Sequence, residues 1–194
     1  MSETAIVNSA LIKLGERTIN SLDQDTKAAR IAKIQYPVLR DEVLYSHPWN
    51  FSIKRAVLSA NATAPDFGFD IAYDLPSDVL RVLHPLTFED SIPISVKWQK
   101  EGNQILTNEP EFKIRYIGKI TDTSKFSAAF KETLAFRLAA DFAYSIANSR
   151  VLSQHYFGIF QQHLAQSRSF DAQEGSAEQL TADLWINSRS TGVV

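Results

Sequence analysis

The side chains with the most chemistry to offer are four histidines, a regular run of aspartates and a mixed group of aromatic and basic residues. The histidines are His47, His84, His155 and His163. His155 and His163 fall on one predicted helix, separated axially by roughly 12 Å, too far to share a metal without help from other elements. No His-Glu-x-x-His pattern occurs, so structural or surface roles are expected for all four. Asp66, Asp70, Asp74 and Asp78 recur at a regular interval. A calcium loop needs oxygen ligands at shorter intervals and a closing glutamate. Phe67, Phe69, Ile71 and Tyr73 lie between the aspartates and point instead to an extended apolar-polar alternation with solvent-facing carboxylates. Trp49, Phe51, Phe67, Phe69, Tyr73 and Trp98, interleaved with Lys54, Arg55 and Lys97, have the composition of a base-stacking surface. Packing of the β region against helices is the expected role, with Trp49 as a plug between the second helix and the first strand.

Catalytic signatures are missing from the chain. No glycine-rich segment ends in Gly-Lys-Ser or Gly-Lys-Thr, and neither a Gly-x-Ser-x-Gly elbow nor a Ser-x-x-Lys pattern occurs. With no cysteine, disulfides, thiolate metal sites and cysteine nucleophiles are excluded. An acid and a base for glycoside hydrolysis can come from distant positions, but the carboxylates show no pattern that singles out such a pair. The sequence therefore assigns no catalytic residue, no cofactor and no metal site. Asn61-Ala62-Thr63 matches a glycosylation acceptor, which matters only in a secretory setting.

Composition narrows the class further. At 194 residues and 44% hydrophobic content the chain can build a core in one domain, or in one domain carrying an insertion. Its amino terminus lacks the basic region and apolar core of an export signal, and Arg137 and Asp141 interrupt the most apolar stretch. Neither secretion nor membrane spanning is expected, and the cytoplasm is the natural compartment. The net charge of -2 argues against a protein that grips nucleic acid through phosphates. Residues 61–124 hold ten acidic and six basic side chains, whereas residues 1–60 hold six acidic and eight basic. An acidic middle lining a channel would repel DNA and let it pass; an ordinary solvated surface has the same composition.

The elements that must position these residues fall into three parts. Residues 1–46 carry two helical periods: Thr4 to Leu14, with Ser2 as cap and Gly15 as stop, and a second run that Pro37 should kink or split. Residues 47–123 show short apolar or alternating runs, read as strands over Phe51 to Leu58, Val79 to Leu83, Ile94 to Gln99, Gln104 to Leu106 and Lys113 to Ile117. A hairpin is expected at Gly102-Asn103. Residues 124–172 return to helical period, with one helix from Ser127 to about Asn148 and another from Leu152 to about Phe170, antiparallel across a short connection. Residues 173–194 read as an arm anchored by Leu180, Leu184, Trp185 and Ile186. The expected fold is α+β: mainly a helical bundle of N- and C-terminal helices with an inserted antiparallel β-rich region and a C-terminal arm.

Three blocks carry a family resemblance by their order and spacing. Leu14-Gly15 precedes Ile19-Asn20-Ser21-Leu22; Arg40-Asp41 leads to Trp49-Asn50-Phe51; and Tyr73-x-Leu75-Pro76-x-Asp78 leads to Arg81-Val82. With a late helical segment marked by Phe126, Phe130, Leu138-Ala139 and Ala143, the chain from Ala10 to about Glu174 resembles the tail tubular protein A family of short-tailed bacteriophages. The resemblance implies a virion-tail adaptor made in the host bacterial cytoplasm, in which a ring of twelve copies sits between the portal protein and the tail nozzle protein. It also implies a helical domain toward neighbouring copies, DNA passage without sequence-specific binding, and an arm docked on the portal. In isolation the chain would be a monomer, and Leu184, Trp185 and Ile186 would be the arm's anchors. Two readings compete with it: a tail-associated polysaccharide-degrading hydrolase and a nucleic-acid-binding module.

Overall fold

The computed structural model describes residues 1–83, 88–89, 92–93 and 97–174. The fold is α+β. In chain order its elements are α1 (Glu3–Lys13), α2 (Lys27–Ser46), β1 (Ile53–Leu58), β2 (Ile71–Asp74), β3 (Val79–Val82), β4 (Phe88–Glu89), β5 (Ile92–Pro93), β6 (Trp98–Glu101), β7 (Gln104–Thr107), β8 (Phe112–Gly118), α3 (Ala128–Ser145) and α4 (Arg150–Gln173). Part of the strand expected over Ile94 to Gln99, together with His84, Pro85 and the arm anchors Leu180, Leu184, Trp185 and Ile186, lies outside the described residues.

Local chemistry accounts for the helix ends. Ser2 accepts a hydrogen bond from Ala5 N at 3.2 Å, Ser127 from Phe130 N at 3.1 Å and Ser149 from Leu152 N at 3.2 Å, each satisfying an amide that the first helical turn leaves open. At the end of α1, Gly15 takes φ +73. Its amide donates to Ile12 O, and the Glu16 amide donates to Leu11 O, the paired bonds by which a left-handed glycine closes a helix. Beyond it, Asn8 clasps the following loop: its Oδ1 accepts from Ile19 N and its Nδ2 donates to Ile19 O, both at 2.9 Å. That clasp turns Ile19 into the core, where it is buried.

Pro37 does not split α2, which runs continuously from Lys27 to Ser46. The missing amide removes one intrahelical bond. Ala32, Tyr36, Leu39, Val43 and Leu44, buried on both sides of the proline, hold the helix to the core and outweigh that loss. α3 and α4 are antiparallel, since Thr133 meets Ser167, Phe136 meets His163 and Arg137 lies over Phe160. Their connection, residues 146–149, contains Asn148 at φ 52, a left-handed position that asparagine tolerates. α4 extends to Gln173, one residue into the stretch expected to be arm.

The strands form two antiparallel three-stranded sheets, β1-β8-β3 and β2-β7-β6, with β4 and β5 as a separate pair. The Gly102-Asn103 hairpin is present between β6 and β7, and only Gly102 uses a positive φ. β2 falls within the alternation expected around Ile71 and Tyr73. Two buried clusters result. One joins α1, α2, α3 and α4 through residues such as Leu11, Tyr36, Trp49, Phe130 and Phe142. The other lies between the two larger sheets around Tyr73, Leu75, Ile105, Phe112 and Tyr116. The aromatic residues do not act together to pack the β region on the helices. Trp49 and Phe51 belong with the helical cluster, whereas Tyr73 and Trp98 belong with the β cluster.

Candidate functional site

The block from His47 to Phe51 leaves α2 and is fixed in place by α3 and the last turn of α4. Trp49 is fully buried; its Nε1 donates to Val43 O at 3.0 Å, and its ring meets Phe130 edge-on at 5.1 Å. The plug therefore seats against α3, with Phe51 stacked beside it and packed on Phe126 and Phe130. Asp171 supplies the tie to α4. Its carboxylate accepts from the Asn50 amide at 3.1 and 3.2 Å, while Asn50 Nδ2 donates back to Asp171 O at 2.6 Å. One turn earlier, Arg168 donates to Ser46 O at 2.9 Å.

His47 completes this knot. Its Nε2 lies 3.1 Å from Asp171 Oδ2, and because a carboxylate only accepts, the imidazole proton sits on Nε2. Burial lowers the His47 pKa, and nearby Arg168 and Arg81 add to that; hydrogen bonding and charge from Asp171 act in the opposite direction. The unfolded imidazole then takes up protons more readily than the folded one. The stabilisation is complete above about pH 6.5 and is lost as the pH falls below it. Thermal unfolding midpoints measured from about pH 7.5 down to about pH 5 should fall, and the slope should flatten in His47→Gln.

The Leu-Pro corner organises the β region. Tyr73 is buried and stacked on Phe112, and its hydroxyl donates to Glu109 O at 2.7 Å. Leu75 is buried and its amide donates to Asn103 O, which ties the corner to the β6–β7 hairpin. Val79 N closes the turn on Pro76 O at 3.1 Å. Asp78 is held by Lys54 Nζ at 2.5 Å and by the Tyr116 hydroxyl at 3.2 Å. Burial pushes its carboxyl up, yet Lys54 and Tyr116 outweigh burial and keep it below the usual carboxylate range. Arg81 extends from β3 over the Tyr45 ring of α2 at 5.3 Å, a contact between the sheet and the helices.

The site residues read from sequence are thus placed in two groups. Leu14, Gly15, Trp49, Asn50 and Phe51 serve the helical part; Tyr73, Leu75 and Pro76 serve the β part; Arg81 joins the two. Sequence reasoning passed over Asp171 and Asn8, and it named Arg40-Asp41 as part of a block without its charge partners. Arg40 is 4% exposed and pairs with Asp41 at 2.8 Å, and Asp41 also meets Lys119 at 3.1 Å. Asp171 did carry a signal: a carboxylate in the last turn of a helix opposes the macrodipole and calls for a partner.

Among the described residues, two grooves open on the surface. One, about 510 Å³, lies between α2, α3 and α4 and is lined by Gln35, Arg137, Asp141, Tyr144, Gln154 and Phe157. Tyr144 and Phe157 line it and are exposed; on α2, Ile34 and Val38 are exposed one turn apart, on either side of Gln35 in the sequence. The other, about 550 Å³, lies in the β region and holds Asp66, Phe67, Phe69, Gln99, Glu101 and Gln104. Among the described residues, no cluster of histidines and carboxylates fits a metal ion, and no helix is long and apolar enough to cross a membrane. Asp66, Asp70 and Asp74 are exposed, with Asp74 bonded to Gln104 at 2.8 Å. Compared with known proteins, the chain matches no family model and no curated protein.

Proposed function

We propose that this chain is a structural adaptor of a phage or prophage tail. Copies form a ring, twelve-fold as the residue blocks imply, that joins the portal to the tail nozzle and lets DNA pass. The observation that carries the proposal is a set of exposed apolar side chains on α2, α3 and α4. Ile34, Val38, Tyr144 and Phe157 are 69%, 60%, 60% and 41% exposed. Exposed apolar side chains of this size gain stability when a partner covers them. A neighbouring copy meeting the groove with a different part of its surface makes a head-to-tail contact, and repeated head-to-tail contacts close into rings. Exposed carboxylates at Asp66, Asp70 and Asp74 suit a polyanion that must slide past.

Val38→Glu tests this reading. Val38 is already solvated, so the unfolding free energy should change by no more than about 0.5 kcal/mol. Ring assembly on the portal, followed by sedimentation, should be lost, because each interface would bury an unpaired carboxylate. Complete rings from the variant would remove this face of α2 from the account.

The hydrolase reading draws on the β-region groove, where Asp66 and Glu101 line an open cleft beside Phe67 and Phe69. It requires release of reducing sugar from a capsular or envelope polysaccharide, with loss of that release in Glu101→Gln or Asp66→Asn.

A further inference from the structure

Phe67 stands in the loop between β1 and β2 and is 88% exposed, more than any other large apolar side chain among the described residues. The loop is tied down on both sides of it. Asn61 N donates to Ala72 O at 2.7 Å and Asp70 N donates to Asn108 Oδ1 at 3.0 Å, while Gly68 turns the chain next to the ring at φ +88. One solvated aromatic ring on a fixed loop has the form of an anchor for a pocket elsewhere. The loop is also acidic: from Ala56 to Leu80 the chain has no lysine or arginine but carries Asp66, Asp70, Asp74 and Asp78.

The groove between α2, α3 and α4 has the matching character. Its volume, about 510 Å³, is that of a site for a compact group, and Tyr144 and Phe157 give it apolar walls that are 60% and 41% exposed. One wall is already set. Arg137 lies over the Phe157 ring at 5.9 Å and donates to both carboxylate oxygens of Glu42 at 3.1 and 2.9 Å, so an incoming ring meets a surface that needs little ordering. Arg150, exposed at the start of α4, stands one turn before Gln154 of the groove and adds a positive charge at its α4 side.

We infer that the groove is filled by Phe67 of a second copy of this chain, with Asp66 of that copy beside Arg150. Asp141 on the α3 wall repels the carboxylates of the loop and turns Asp66 toward α4. Knob and groove are different patches of one surface, so the contact is head-to-tail: each copy gives its loop to one neighbour and its groove to the other. This names the surface with which a neighbouring copy meets the groove, and it rests on the adaptor reading for the presence of that copy.

The absence of native cysteine allows a direct test. Full-length Asp66→Cys and Arg150→Cys chains, mixed, assembled on the portal protein and mildly oxidised, should give disulfides that join one variant to the other, identified by mass. Rings without disulfides, or disulfides between two chains of the same variant, would overturn the inference and leave the adaptor reading standing. A parent chain that forms no ring on its portal would remove both. Phe67→Ser gives a second readout. The ring is solvated, so the thermal midpoint should stay that of the parent, whereas ring yield on the portal should fall about tenfold. Asp66→Arg should lower the yield as well, and adding Arg150→Asp should restore it. Full yield from Phe67→Ser, or no restoration by the paired charge reversal, would also overturn the inference.

Discussion

Trp49→Ala should lower the free energy of unfolding by about 4 kcal/mol, a large part of the roughly 5–15 kcal/mol that holds a domain together. The side chain is fully buried, so the substitution opens a cavity bounded by Phe51, Phe130 and the end of α2. It also leaves Val43 O without the Nε1 donor. The surrounding aromatic rings touch one another as well as Trp49, as in the Phe51–Phe130 and Phe126–Phe130 contacts, so collapse into the space would break their mutual geometry. Trp49→Phe keeps much of the volume and loses only the donor and part of the packing, so about half the effect is expected. Denaturant unfolding followed by tryptophan-independent circular dichroism checks both values. An alanine variant within about 1 kcal/mol of the parent would show that the His47–Phe51 block is not structural.

Asp171→Ala should lower stability by about 3 kcal/mol, a large effect for one residue near the described end of the chain. The carboxylate is 8% exposed and receives the Asn50 amide and the His47 ring; without it both part-buried donors lose their acceptor. The loss should be local. Hydrogen exchange should rise in the last turns of α4 and across residues 47–52, while β7 and β8 stay protected. Asp171→Asn keeps one acceptor oxygen at the Asn50 amide and should fall between parent and alanine. Exchange rising evenly over the whole chain would contradict the assignment of this residue as the tie between α4 and the Trp49 block.

Legibility followed the range of the interaction. Gly15, Ser2, Ser127 and the Gly102-Asn103 turn act within a few residues, and each was readable from spacing alone. The period-3.6 stripes located four helices, although α4 runs further at both ends because Ser149 caps it and Asp171 anchors it. Of the kink or split expected at Pro37, the split does not occur, because the loss of one helical bond is local, whereas the burial of Tyr36 and Leu39 that offsets it is tertiary. The division of the aromatic residues into two clusters was equally invisible: an alternating strand states which side chains share a face, but not which layer that face will meet. Asn8 at Ile19 and Asp171 at Asn50 join positions far apart in sequence, and polar contacts of that kind leave no period. The exposure of Ile34 and Val38 was hidden for a related reason, since an apolar residue on a helix reads as core until the fold leaves it outside.

The central claim is that the molecule works by fitting against copies of itself and a larger platform. The most direct measurement is the native mass of the purified chain, alone and after mixing with the portal protein of the same phage or prophage. The account expects a 21.8 kDa monomer that becomes a closed ring of about twelve copies only on the portal. A chain that stays monomeric with its portal while releasing sugar from polysaccharide would contradict it.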